Sequence, residues 1–84
     1  MDYAIYKTTD GKHPHVVHRF TQQATGHRAK AAARKKLKEM FFRVAQRPQV
    51  IRDLSATNDE FQYDYFSDGE TKERIKFYIS EIKL

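Results

Sequence analysis

The chain of 84 residues contains no cysteine, so neither a disulfide nor a cysteine-based zinc site can stabilise it. No apolar run approaches the roughly 18 to 20 residues that a membrane span requires. The first residues are polar, which predicts that there is no cleaved signal peptide. We therefore expect an intracellular protein, in a nucleoid, a host cell or a virion, with no membrane partner.

Recognisable catalytic motifs are absent as well. The sequence has only 3 glycines and contains no glycine-rich phosphate loop, no G-x-S-x-G and no H-E-x-x-H. Three histidines, His13, His15 and His18, cluster near one predicted turn, and His27 follows. Without cysteine or a helical pair of histidines, this cluster predicts no metal site. We expect a protein that is not an enzyme, with no catalytic residue, metal or cofactor.

Acidic residues are scarce in the middle of the chain. Residues 12–52 hold eleven lysines and arginines against a single acid, Glu39, for a net charge of +10. Residues 1–11 have a net charge of −1, and residues 53–84 have −4. A concentrated positive charge attracts polyanions, chiefly through the release of condensed counterions. This distribution predicts that binding is confined to one side of the fold.

The pattern of apolar residues and turns predicts six elements in the order β-β-α-β-β-β. The turns are Asp10-Gly11 and Ser67-Asp68-Gly69. The predicted strands cover residues 2–9, 15–21, 49–55, 60–66 and 71–84. We expect one α+β domain over residues 1–84, in which a single helix packs on antiparallel strands that form a pseudo-barrel or an open sheet.

The helix is predicted to begin at Thr25, whose hydroxyl can cap it, and to end near Gln46, before Pro48. Spacings of three and four residues place one apolar stripe on it, formed by Ala29, Ala33, Leu37, Met40 and Val44.

The other side of this helix is basic, whereas ordinary surface helices mix charges of both signs. We interpret it as a nucleic-acid-binding face; the alternative is a solvated face that serves solubility alone. Phe42 projects from it and could wedge into a base step or cover a neighbouring loop. The candidate nucleic-acid-binding residues are Lys12, Arg19, Arg28, Lys30, Arg34, Lys35, Lys38, Arg43, Arg47 and Arg52.

Most of the aromatic side chains are predicted to fill the core under the helix. Phe61, Tyr63 and Tyr65 alternate with polar residues in the fourth strand, as is typical of a half-buried strand. Aromatic residues on an open sheet can instead stack on unpaired bases. The tyrosine-bearing strand therefore leaves an RNA-binding function open.

Short motifs along the chain resemble those of the methanogen chromosomal protein family. They are the hairpin at Asp10-Gly11, the Thr25-Gly26 step into Ala29-Lys30-Ala31-Ala32-Ala33, and Ile51-Arg52 ahead of a terminal β meander. The resemblance spans Tyr3 to Leu84. That family comprises small monomeric architectural proteins of archaea, with similar domains in large DNA viruses. The resemblance implies a pseudo-barrel of two antiparallel sheets with a helix, and monomeric, largely sequence-independent binding and bending of duplex DNA.

Three functions follow from these observations. The leading hypothesis is an architectural or packaging protein that binds double-stranded DNA by charge neutralisation. The first alternative is a small viral or phage protein that docks on a host nucleic-acid-processing protein and inhibits it, through the basic helix and the acidic strands of residues 53–84. The second alternative is an RNA-binding module.

Overall fold

Within the residues that the structure describes, five strands and one helix follow one another in the predicted order. The computed structural model describes residues 2–20, 26–47, 49–66 and 72–82, with the backbone alone at residues 26–28. The Thr25 cap and the Ser67-Asp68-Gly69 turn lie outside these residues. The elements are β1 (Tyr3–Thr9), β2 (His15–Phe20), α1 (Gly26–Ala45), β3 (Ile51–Ala56), β4 (Glu60–Phe66) and β5 (Lys72–Glu81). The predicted α+β class is confirmed.

The strands form one antiparallel sheet in the order β2-β1-β5-β4-β3. The first and last strands of the chain, β1 and β5, pair at its centre, where Tyr3 lies opposite Glu81 and Thr9 opposite Ile75. The outer strands β2 and β3 are the two edges. Of the two predicted arrangements, the structure has the open sheet, and not the pseudo-barrel that the resemblance implies.

The helix packs on one face of this sheet through the predicted stripe. Ala29, Ala33 and Leu37 are buried, and Met40 and Val44 pack against the core. The two alanines allow the first half of α1 to approach the sheet closely. No helix among the described residues is long and apolar enough to cross a membrane.

Aromatic rings fill much of the space under the helix. Phe61 is almost fully buried and stacks on Phe77, with 5.0 Å between the ring centroids. The ring of Phe41 on α1 meets Phe61 edge-on at 5.8 Å. Tyr63 is buried beside them, and burial raises the pKa of its hydroxyl. The prediction that most aromatic residues serve the core is confirmed for these residues.

Local backbone geometry shapes the sheet at two aspartates. Asp10 and Gly11 have φ angles of 53° and 73°, and Lys12 N donates to Thr9 O at 3.1 Å, which defines a type I′ turn. The predicted turn at Asp10-Gly11 is therefore confirmed. Asp53, with φ 51°, lies in a bulge of β3, where the register with β4 shifts between Arg52 and Ser55.

Candidate nucleic-acid interface

The solvent side of α1 carries exposed cations. Lys35, Lys38 and Arg43 are exposed and form no ion pair with any residue that the structure describes. Ala31 and Ala32 are exposed as well, and their small side chains keep the first half of this side shallow. The arrangement allows a flat or convex polyanion to approach the helix closely.

Arg34 lies at the border of this side and makes an ion pair. Its Nε donates to Asp59 Oδ1 at 2.7 Å, and both side chains are a little under half exposed. This hydrogen bond raises the pKa of Arg34 and lowers that of Asp59, which the charge of the half-buried Lys30 lowers further. The two residues are 25 positions apart in the sequence, and no sequence pattern predicted this pair. Arg34 is therefore partly neutralised.

Two further contacts modify the basic side. Lys36 Nζ lies 4.0 Å from Glu39 Oε2, so the single acid of the helix is matched within α1. Phe42 is 53% exposed, and Lys38 Nζ lies 5.9 Å from the centre of its ring. The predicted projection of Phe42 from the basic side is confirmed. Its role as a wedge stays a prediction.

Other predicted cations lie near the C-terminal end of α1, in the loop between β1 and β2, or outside the described residues. Arg43 and Arg47 line a groove of ≈ 260 Å³ at the C-terminal end, together with apolar residues of the core. Lys12 is exposed in the loop between β1 and β2. The side chain of Arg28 lies outside the described residues.

Two of the predicted residues lie on the opposite face of the sheet, here called the far face. Arg19 pairs with Ala4, and Arg52 pairs with Asp64. Side chains alternate between the two faces along a strand, and the residues next to Arg19 and Arg52 in their strands face the helix. Arg19 and Arg52 therefore point away from the helix. The predicted grouping on one side of the fold is therefore wrong for Arg19 and Arg52. The order of charged residues along the sequence does not show which side chains of a strand face the helix and which face away from it.

The acids of the far face are matched by cations of β5. Asp64 is only 2% exposed; Arg74 Nε donates to its Oδ1 at 3.0 Å, and Lys72 Nζ lies 3.4 Å from its Oδ2. The hydrogen bond from Arg74 is the main cause of the lowered pKa of Asp64. Lys76 Nζ lies 3.0 Å from Glu60 Oε2. The negative charge of β4 is therefore locally balanced.

The aromatic residues of the far face are not those of the tyrosine-bearing strand. Tyr63 and Tyr65 lie on the helix side, in or against the core. Tyr6 and Tyr78 instead pair across β1 and β5, with stacked rings 5.4 Å apart, and Lys76 Nζ lies 5.6 Å from the Tyr78 ring. The sequence did not predict that these two tyrosines are paired, because only the register of β1 with β5 brings them together.

A cleft of ≈ 730 Å³ opens between α1 and the turn that joins β3 to β4. Hydrogen bonds hold this turn in place: Thr57 N donates to Glu60 O at 2.8 Å, and Ile79 N donates to Asp59 O at 2.9 Å. Basic, apolar and polar side chains all contribute to its walls. They are Arg34, Lys35, Leu37, Lys38, Phe41, Ala56, Thr57, Asn58 and Phe61.

Comparison of the chain with models of protein families, with curated proteins and with solved structures found no match.

Proposed function

We propose that the protein is a non-enzymatic, largely sequence-independent DNA-binding protein that contacts duplex DNA through the basic side of α1. The observation that carries this proposal is the exposed set of Lys35, Lys38 and Arg43, which have no acidic partner among the described residues. Like charges three or four residues apart on one helix, such as Lys35 and Lys38, repel each other, so an isolated helix of this kind is electrostatically unfavourable. A bound polyanion removes that repulsion.

The mechanism is charge neutralisation of the DNA backbone. Each lysine or arginine that contacts a phosphate releases condensed counterions, which gives affinity without reading base sequence. The small side chains of Ala31 and Ala32 let the helix backbone approach the duplex, and the flanking cations then reach phosphates on either side of a groove. Selectivity in this mechanism comes from DNA shape and deformability and not from base edges.

A salt-dependent titration tests this function. Fluorescence anisotropy with a labelled blunt duplex would be measured for the wild type and for Lys35→Gln and Lys38→Gln. Each substitution removes one phosphate contact, so we expect the slope of log K against log salt to fall by ~0.9 per variant. The matched control is Arg19→Gln, which removes one exposed cation from the far face and is expected to leave the slope unchanged.

Salt-independent or undetectable binding of the wild type to blunt duplex would contradict the proposal. So would equal effects of Arg19→Gln and Lys35→Gln, because they would indicate diffuse attraction by net charge without a defined face.

A second candidate function, binding of unpaired RNA, is favoured by the far face. Tyr6 and Tyr78 are half-buried and stacked there, and Lys76 lies beside them. Aromatic rings next to cations on a sheet are typical of surfaces that stack unpaired bases. Competition between single-stranded RNA and blunt duplex DNA separates the two functions: Tyr78→Ala should weaken RNA binding alone, and Lys38→Gln should weaken duplex binding.

A further inference from the structure

The cleft between α1 and the β3–β4 turn is lined by three chemically different groups of side chains. Its rim on the helix carries three cations, Arg34, Lys35 and Lys38. Its floor is apolar, with Leu37 and the rings of Phe41 and Phe61. The facing wall, from the end of β3 and the turn, offers Ala56, Thr57 and Asn58.

None of the acidic side chains that the structure describes lines the cleft itself. Asp59 lies at its border and is held by Arg34 at 2.7 Å, so it offsets one of the three positive charges. Lys35 and Lys38 form no ion pair within the described part of the chain. The cleft therefore has a rim with a net positive charge and an apolar floor. A ligand that fits it has one flat apolar part and one anionic part.

A nucleotide has these two parts. Its base presents an apolar face that can lie against Leu37 and Phe41, and its polar edge can reach the amide of Asn58. Its phosphate can lie between the ammonium groups of Lys35 and Lys38. The volume of ≈ 730 Å³ falls within the range of roughly 300–1,000 Å³ that is usual for sites of small ligands.

We propose that this cleft binds one unpaired nucleotide of the nucleic-acid strand that α1 holds. A base inside a duplex is stacked and paired and cannot enter a cleft, whereas an overhang, a gap or a bulge presents a base that can. The inference rests on the proposed function, because Lys35 and Lys38 face both the cleft and the solvent side of the helix. It adds a preference for duplexes with an unpaired nucleotide over blunt duplexes.

The test compares two probes, a labelled blunt duplex and the same duplex with a short single-stranded overhang. We expect the wild type to bind the overhang probe about tenfold more tightly, as one stacked base allows. Ala56→Phe fills the cleft from an exposed position and removes neither a charge nor a core side chain. It is expected to abolish the preference and to leave the affinity for the blunt duplex unchanged.

The matched control is Ser55→Phe. Ser55 precedes Ala56 in β3, is also exposed and pairs with Gln62, so it points to the far face. This variant should keep the preference for the overhang. Asn58→Ala, at an exposed position in the turn, should reduce the preference only in part. Circular dichroism melting of all three variants verifies that each one folds.

The inference would be overturned by equal affinity of the wild type for both probes, by retention of the preference in Ala56→Phe, or by its loss in Ser55→Phe. A free nucleoside monophosphate should displace the overhang probe only at far higher concentration; equal potency would assign the cleft to free nucleotides. If neither probe binds, the proposed function itself fails. If the blunt duplex binds and the overhang adds nothing, only the nucleotide site fails.

Discussion

At the scale of single residues, Asp64 is the charged side chain that the fold buries most completely among the described residues. It lies on the far face, which no described element covers, and the side chains of Lys72 and Arg74 shield it from water. Hydrogen bonding from Arg74 is the main cause of its lowered pKa, because that bond favours the charged carboxylate. Asp64 therefore stabilises the pairing of β4 with β5 while it is ionised.

The effect of pH on stability follows from the lowered pKa of Asp64. Its stabilisation is complete above the ordinary carboxyl pKa of 3.8 and is lost as the pH falls through the lower pKa of the folded state. Asp64→Asn should lower the free energy of unfolding at neutral pH and should flatten its decline between about pH 5 and pH 2. Urea unfolding at a series of pH values measures both effects.

The control for Asp64→Asn is Glu39→Gln. Glu39 is exposed and lies 4.0 Å from Lys36 on the helix surface. An exposed pair of this kind contributes little, so the pH profile of Glu39→Gln should follow that of the wild type. An unchanged profile in Asp64→Asn would show that the carboxyl group has the same pKa in the folded and the unfolded chain, which would contradict this role of Asp64.

Asp10 joins the first turn to the central strand. It adopts a left-handed conformation, its N–H donates to Arg74 O at 2.7 Å, and its Oδ1 accepts from Arg74 N at 2.8 Å. Asp10→Ala loses the accepted hydrogen bond and tolerates positive φ less well, so we expect a destabilisation of ~1–2 kcal/mol. Asp10→Asn keeps an acceptor and tolerates this φ, so it should be nearly neutral. Chemical denaturation measures both, and equal losses would contradict the role of the accepted bond.

Among the secondary-structure elements, the helix shows which features the sequence predicts and which it does not. Its predicted extent, Thr25 to about Gln46, agrees with Gly26–Ala45, because Pro48 and the apolar spacing are local signals. Its buried side was predictable for the same reason. The ion pair between Arg34 and Asp59 was not predictable, because it depends on the position of a turn that is distant in the sequence. Local periodicity carries no information about such contacts.

The strands likewise have local features that the sequence predicts and long-range contacts that it does not. Their order along the chain was predictable from alternation and turns, but their neighbours in the sheet were not. The faces of Arg19 and Arg52 depend on register, and in β3 the register shifts between Arg52 and Ser55 around Asp53. A shift of one residue moves every later side chain to the other face. The cleft also depends on these long-range placements, so no sequence pattern marked it.

The alanines of α1 provide a prediction at this scale. Ala33 is fully buried where the helix approaches the sheet, and Ala31, two positions earlier, is exposed. Ala33→Leu inserts a larger side chain into a filled space and should lower the free energy of unfolding by ~1–3 kcal/mol. Ala31→Leu changes helix propensity by the same small amount without overpacking, and should lie within ~0.5 kcal/mol of the wild type. Thermal unfolding followed by circular dichroism measures the difference, and similar stability of the two variants would contradict close packing at Ala33.

At the scale of the whole molecule, cations occupy both sides of the sheet. On the helix side Lys35, Lys38 and Arg43 have no acidic partner among the described residues. On the far face, Lys72, Arg74 and Lys76 each contact a carboxylate of β4. The two sides therefore differ in how much of their positive charge is available to a ligand, although the amino-acid composition of the chain does not distinguish them.

The position of β5 provides a prediction for the fold as a whole. It pairs with β1 on one side and β4 on the other, and it supplies Ile75 and Phe77 to the core. A chain shortened to residues 1–71 should therefore lose its cooperative unfolding transition, although it retains α1 and both outer strands. A synthetic peptide of residues 72–84, added in excess, should restore the circular dichroism signal of the native protein. A peptide in which Phe77 is replaced by Asp is the control, and cooperative unfolding of the shortened chain alone would contradict this role for β5.

The pairing of β1 with β5 also determines when the protein can fold. Tyr3 and Glu81 are opposite one another at the centre of the sheet, so nearly the whole chain must be closed into a loop before that centre exists. Contacts between residues so far apart in sequence slow folding, because chain entropy is lost before the contacts that compensate for it can form. The helix is synthesised well before the strand that completes the surface beneath it. We therefore expect the native structure to form in a single late step, after β5 has left the ribosome, and not by stepwise growth during synthesis.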